Sequence, residues 1–326
     1  MFDFGDELHS EYGFHRHGWS WVVSKLAEKL HSPNAAIRIL SFAEQSLLFQ
    51  GHNSHFYSPY TPTKPWIGIF HLPPRVPFVY SRSHQLSRLR DEPRLAKIMQ
   101  SCLASISLSS YLENYISTSI HPARPAYTVL HPAPYNVDCF NLELVLAHLR
   151  TTGHVRLIQL GFWLRKHHLI HSLKHSIPHR IEAFHVGINN DSQMRIVSLD
   201  LSLHNVSAHD NVYMTYRLNA RDYDHLLTNA LVLLPLYDTS ANNSLIECIT
   251  RCTPVIIERH PAVVQYLGAD YPFYYQDFDQ LLCLLESPLL AEKIAQAHDY
   301  LYHLRESRHL SIDTCIDSLM DFASTL

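Results

Sequence analysis

The chain of 326 residues is poor in glycine and in charge, with 9 Gly and only 17% Asp, Glu, Lys and Arg. So little glycine excludes a collagen-like or glycine-rich flexible chain. So little charge, beside 18 Tyr, 14 Phe and 4 Trp, excludes a disordered one. No apolar stretch approaches the roughly 20 residues that a membrane-spanning helix needs. The six cysteines (Cys102, Cys139, Cys248, Cys252, Cys283 and Cys315) form no Cys-x-x-Cys pair, and Cys248 and Cys252 read as packing residues at helical spacing. Met1 to Glu7 carries acid where a secretory leader carries Lys or Arg. A reduced, cytoplasmic protein is expected, with peripheral membrane contact left open. The net charge of −4, from 26 basic and 30 acidic residues, supplies no overall basic field, so no nucleic acid partner is expected. Histidine alone is abundant, at 25 copies.

What is present is an alternation of short apolar runs with longer helical patterns, the signature of α/β layers. Strands are expected at 2–4, 36–42, 66–71, 104–108, 127–130, 155–161, 180–186, 212–215, 230–234 and 254–257. Helices are expected at 19–30, 95–103, 110–116, 164–173, 222–227, 244–250, 263–267, 278–285, 289–310 and 313–322. Two α/β domains of comparable size are expected from this order; the family resemblance given below implies that they are Rossmann-like, residues 1–147 and 148–310, with a last helix in 311–326 crossing back to the first. Open α/β sheets bind ligands beyond the carboxyl ends of their strands, so the loops there hold the candidate residues.

The most informative loop runs from Tyr237 to Glu247, between a buried strand and a helix. Ser240, Ala241, Asn242, Asn243 and Ser244 are small or polar and lie at the helix N-terminus, where free N–H groups and the positive dipole end favour a phosphate. Glu247 falls one turn into the helix and can accept two hydroxyl hydrogen bonds from a ribose. The competing reading is a cap, with Asn or Ser at the N-cap and Ser244 and Glu247 forming an S-x-x-E capping box. His167, His171 and His175 recur at helical spacing. They are read as a polar helix face rather than a metal site, because no carboxylate or Cys clusters with them in sequence.

The next segment, Pro254-Val255-Ile256 followed by Tyr266-Leu267-Gly268, together with Glu247, resembles the donor-binding half of retaining GT-B glycosyltransferases of the family 4 type. That family places an acidic residue seven intervening positions before its helical Glu. Here Thr239 is in that register and Asp238 is one residue early, and Gln265 stands where Glu is usual. Leu157 to Lys166 looks like the family's strand, glycine and basic-residue element. The resemblance implies that Arg165, Lys166 or both neutralise the donor diphosphate, against a reading as solvated charges opening a helix. Tyr12 to Trp19 is similar to the glycine-containing loop that faces the sugar, which makes Gly18 a donor-side candidate. His71, at a strand end before Leu72-Pro73-Pro74, occupies the place of a histidine that touches the sugar or β-phosphate; a structural histidine is the alternative.

The resemblance implies a GT-B fold and transfer of a sugar, with retention, from a nucleotide-diphosphate sugar to a hydroxyl on a glycan, a lipid-linked group or a protein. Donor phosphate would assist the acceptor on the same face, leaving the protein to position groups and stabilise charge. No cofactor beyond that donor is expected, and no metal, because Arg165, Lys166 and the helix N-terminus can neutralise the diphosphate. The alternatives are a sugar-nucleotide epimerase of the same fold and a non-catalytic sugar-nucleotide or glycan-binding protein.

Overall fold

A computed structural model describes residues 1–5, 18–48, 63–80, 84–215 and 218–325. Most of the expected glycine loop, residues 12–17 with Gly13, lies outside the described residues. Ten strands form two sheets among the described residues: β1 (Arg38–Leu40), β2 (Trp66–Phe70), β3 (Cys102–Ser107), β4 (Ala126–Thr128), β5 (Val155–Leu160), β6 (Ile181–Val186), β7 (Val212–Thr215), β8 (Leu231–Leu234), β9 (Val255–Glu258) and β10 (Tyr274–Tyr275). Every pairing is parallel. Parallel strands are covered on both faces by their crossover helices, and the fully buried apolar runs of β2, β8 and Val255 to Ile257 of β9 reflect this.

The first sheet has the order β1-β2-β3-β4. Its alternate residues feed two cores. Ile39, Ile67, Ile69 and Ile106 pack with Trp19, Val22 and Leu26 of the helix Trp19–Leu30. Cys315, Leu319 and Phe322 of the helix Ile312–Ser324 join the same core, so the end of the chain lies against its beginning. Leu40, Trp66, Phe70 and Cys102 face the other way, toward Leu86, Leu95 and Leu112. The strand expected at 2–4 is reduced to single bridges from Phe2 to His31 and from Asp3 to Arg38. Asp3 is buried and ion-paired to Arg38 and Lys64, each at 3.0 Å, and Gly5 at φ +52° turns the chain away.

The second sheet has the order β10-β9-β8-β5-β6-β7. The chain runs outward from β5 through β6 and β7, then returns to β8 and runs outward the other way. Adjacent β5 and β8 therefore send their following loops to opposite faces and leave a crevice between their carboxyl ends, the topological switch point of such sheets. Ala133, Phe140 and the helix Leu142–Thr152, through Val145, Leu146 and Leu149, belong to this second core. The change of core thus falls ahead of the boundary expected at 147/148. The helix Leu142–Thr152 has Asn141 as its N-cap and Gly153 at φ +72° as its C-cap, residues that read in sequence as linker punctuation. The helix expected at 164–173 begins instead at His168 (His168–Ser176), because Arg165 pairs in antiparallel fashion with Leu236 and Leu164 sits at φ +56°. A helix at Asp191–Leu203, capped by Asn190, was not anticipated.

Several histidines are used in the interior. His131, His167, His171 and His185 are buried, and burial holds the first three down to about 4 and His185 well below its ordinary 6.5. Burial takes His71 to about 3. Glu44, fully buried, is pushed the other way, to about 7, by burial. As pH falls from 6.5 toward 4, the unfolded chain binds protons at these histidines and the folded chain does not, so stability falls with pH. Glu44 opposes this with one proton over the upper part of the window. Five histidines against one carboxyl leave a net uptake on unfolding of up to about four protons, each worth about 1.4 kcal/mol per pH unit. Denaturant titrations between pH 7 and 4 are expected to show this steep loss; a flat profile would mean that the buried histidines are protonated in the fold.

Candidate functional site

The crevice beyond β5 and β8 is built by two loops that zip together. The Lys166 N–H donates to the Pro235 carbonyl at 2.8 Å, and the Tyr237 N–H donates to the Leu164 carbonyl at 2.9 Å. Gly161 at φ +79° and Leu164 at φ +56° turn the first loop so that Arg165 points back under it. A Cβ on Gly161 would lie 3.2 Å from Arg165 Nη2, so the glycine gives the guanidinium its room.

Arg165 is buried, and its guanidinium is held by neutral acceptors. Nε donates to the Leu160 carbonyl at 2.7 Å and Nη1 to the Trp163 carbonyl at 2.9 Å. Nη2 lies 3.4 Å from both Asn242 Oδ1 and Ser244 Oγ. Burial lowers its pKa to about 10, which leaves it cationic at neutral pH. No carboxylate among the described residues pairs with it. A buried charge without a counter-charge is costly, and this one sits beside the positive end of the helix Asn243–Arg251. Two positive features with no anion between them form an anion-binding arrangement.

Asn242, not Ser244, caps that helix: its side chain accepts the Leu245 N–H at 3.2 Å. The S-x-x-E capping box is therefore absent, because Ser244 already lies inside the helix. Glu247 instead accepts a 2.6 Å hydrogen bond from the Tyr223 hydroxyl. Glu247 lines a pocket with Asn243, Ile246, Thr250 and His131, the last a strand-end residue of the first half that sequence reading passed over. Only its position before Pro132 marked it. Lys166 diverges from its neighbour and pairs with Glu258 at the end of β9, with Nζ–Oε1 at 2.5 Å. Of the two adjacent cations, the structure brings only Arg165 to the helix N-terminus.

The seam between the halves closes over the loop 238–240. Asp238 accepts the Arg75 N–H at 2.7 Å and the Tyr111 hydroxyl at 3.2 Å, and pairs with His260 at 2.9 Å. Thr239 turns its hydroxyl to the Ala241 carbonyl at 3.4 Å, and Ser240 meets Ser109 at 3.0 Å, oxygen to oxygen. Gln265 accepts from the Ser110 N–H at 2.8 Å and its hydroxyl at 3.1 Å. Partly buried Ala241 packs against the apolar cores of both halves.

On the first half, Gly18 precedes the helix Trp19–Leu30 and accepts the Trp21 N–H at 3.1 Å. Trp19 stands edge-on to His71 at 4.3 Å between ring centres and is 5.3 Å from the His131 ring. His71 Nε2 lies 3.0 Å from the Ser41 carbonyl, and its ring packs on Phe42. The His71 and Leu72 N–H groups donate to the buried carboxyl of Glu44. The expected polar face of the histidine stripe is not present. His167 precedes the helix and is buried against His185 at 3.1 Å, His171 is buried, and only His175 is exposed. Burial away from solvent lowers His167 and His171, both to about 4.

No family model and no curated protein matches the chain. Solved structures do. Sucrose-phosphate synthase from Thermosynechococcus elongatus aligns at TM-score 0.59 and 17% identity, covering 80% of this chain and 68% of that one. HepE from Anabaena, in complex with UDP-glucose, aligns at TM-score 0.60 and 12% identity, covering 81% and 73%. WaaG, a glycosyltransferase of lipopolysaccharide biosynthesis, aligns at TM-score 0.57 and 16% identity, covering 97% of each chain. The chain has the GT-B fold. In this GT-B chain, β5, β8 and the helix Asn243–Arg251 form the crevice side of the second half, and Trp19, His71 and His131 cluster on the first.

Because His71 is wedged between Trp19 and Phe42, it is not the sparsely packed residue that a strand-end position suggests. His71→Ala is expected to lower stability by about 1–3 kcal/mol, from lost ring contacts and one hydrogen bond. Thermal denaturation measures it, and an unchanged melting temperature would show that the ring bears no load.

Proposed function

We propose that the protein transfers a glycosyl group from a nucleotide-diphosphate sugar to a hydroxyl acceptor, with retention of configuration, as in the family 4 type. The observation that carries this is Arg165: a buried cation with no counter-charge among the described residues, 3.4 Å from two side chains at a helix N-terminus, at the switch point of a parallel sheet. A donor diphosphate supplies the missing anion. In this reading Asn243 and Ser244 offer N–H groups to the phosphates, and Glu247, held by Tyr223, takes the ribose hydroxyls. His71 and Gly18, on the first half, face the sugar and acceptor. The charge that builds on the leaving diphosphate is stabilised by Arg165, so no metal is needed for this step. Uridine nucleotides are the first donors to test, since HepE is described in complex with UDP and with UDP-glucose.

A second reading is a non-catalytic sugar-nucleotide binder. It is favoured by Lys166, neutralised by Glu258, and by Asp238, whose carboxylate is already committed to Arg75, Tyr111 and His260. Slow release of nucleotide from a matching UDP-sugar by the wild-type chain supports the transferase. Tight binding with no turnover in a panel of donors and acceptors supports the binder.

Both readings place the ribose on Glu247. Glu247→Gln still accepts the Tyr223 hydroxyl but loses the charge that strengthens its bonds to ribose. Affinity for UDP is expected to fall by about tenfold or more, which corresponds to at least about 1.4 kcal/mol. The melting temperature should hold, because Glu247 is not part of the cap. Wild type should prefer UDP over its 2′-deoxy form, and the variant should not. Equal binding of both nucleotides by both proteins would remove Glu247 from the ribose.

A further inference from the structure

Beside the candidate crevice lies a cluster of side chains that the transfer reaction does not use. His168 opens the helix His168–Ser176, while Asp200 and His204 sit one turn apart at the end of the helix Asp191–Leu203. Tyr237 comes from the loop after β8. Asp200 is fully buried and accepts the His168 N–H and Nδ1 with Oδ2, each at 2.9 Å. Its Oδ1 accepts the Tyr237 hydroxyl and lies 3.9 Å from His204 Nε2. His204 Nε2 is in turn 3.1 Å from the Tyr237 oxygen. One ligand atom from each of His168, Asp200 and His204 falls within 4.8 Å of the others. We propose that His168, Asp200 and His204 bind a divalent transition-metal ion of the zinc type, with Tyr237 or water as the fourth ligand.

The ligand separations and the donor set support this. Two ligands on a tetrahedral zinc, at bonds of about 2.0–2.1 Å, stand about 3.4 Å apart. The separations of 2.9, 3.1 and 3.9 Å around Asp200 and His204 bracket that value. The two imidazoles stack with ring centres 3.6 Å apart, so the half-exposed His204 ring must swing out of the stack before both in-plane lone pairs reach one ion. A metal takes both as neutral rings. The donor set of two imidazole nitrogens and one carboxylate suits zinc, cobalt or nickel rather than magnesium or calcium, which favour oxygen. Binding requires His168 to shift its ring proton to Nε2, which frees Nδ1 for the ion.

The site lies at the crevice without being the diphosphate site. Tyr237 immediately precedes Asp238, and its loop is zipped to Leu164. An ion held by both helices and by Tyr237 fixes the loop 237–244 to the body of the second half. Its consequence is positional, and the proposal stands whether or not the chain is a transferase.

The test uses the full chain stripped of metal by a chelator and titrated with Co²⁺. Wild type is expected to bind one Co²⁺ per chain with the intense visible bands of a four-coordinate ion, without the thiolate charge-transfer band that exposed Cys139 or Cys283 would give. Zn²⁺ should displace it and raise the melting temperature. His204 is 42% exposed in its side chain, so His204→Ala is expected to keep the metal-free melting temperature. Loss of an outer partner of a metal costs about 10–100-fold, so loss of a ligand should weaken Co²⁺ binding by at least about 100-fold. His175→Ala, a control at the exposed end of the same helix His168–Ser176, should bind as wild type does. Absence of the visible bands in wild type, or their persistence at wild-type affinity in His204→Ala, would overturn the proposal.

Discussion

Arg165 is buried with its guanidinium against backbone carbonyls and a helix N-terminus, and the surrounding loops take their shape from that placement. Gly161 and Leu164 adopt left-handed conformations to bring it there. The Tyr80 hydroxyl accepts the Arg165 N–H at 3.2 Å and bonds the Phe162 carbonyl at 3.1 Å, which ties a loop of the first half to the same turn. Removing a cation from water without a partner charge costs several kcal/mol. A fold maintains such a group where an anionic ligand repays the cost.

The contacts that join the halves near this point combine short polar bonds with an apolar cluster, in which Val76 and Tyr80 pack on Phe162, Trp163 and Leu164. Backbone and hydroxyl groups of Arg75, Ser109 and Ser110 meet Asp238, Ser240 and Gln265 across the mouth. Deeper in, the Tyr266 hydroxyl donates to the Leu108 carbonyl at 2.7 Å and accepts the His131 N–H at 2.9 Å. Hydrogen bonds of this kind contribute only about 0.5–1.5 kcal/mol each, because water replaces them when they break. The polar bonds add little to this seam beyond the Val76 and Tyr80 cluster, and buried Tyr266 anchors its back.

Much of the fold was legible because parallel strands and their helices write strong, short patterns. Leu231 to Leu234 reads as a buried strand, and the polar loop through Asn242 reads as a helix start. The helix Leu142–Thr152 was missed because Asn141 and Gly153 serve equally as caps and as linker residues. At the site, the Asn242 to Glu247 run and Arg165 were visible, but the split between Arg165 and Lys166 was not, since adjacent residues in a loop can point anywhere. Tyr223, His131 and the His168–Asp200–His204 group carry no local signature. They come together only through the packing of separate helices and strands, and the histidine stripe drew attention to His171 while His168 faced Asp200.

The account depends on a phosphate-bearing ligand entering the crevice between β5 and β8. Hydrogen–deuterium exchange with and without saturating UDP tests this most directly. The account predicts slowed exchange in the backbone amides of 161–166 and 238–247, where the loops and the helix N-terminus would close on the diphosphate. Binding of UDP that leaves both segments unchanged, or protects amides only elsewhere, would contradict it.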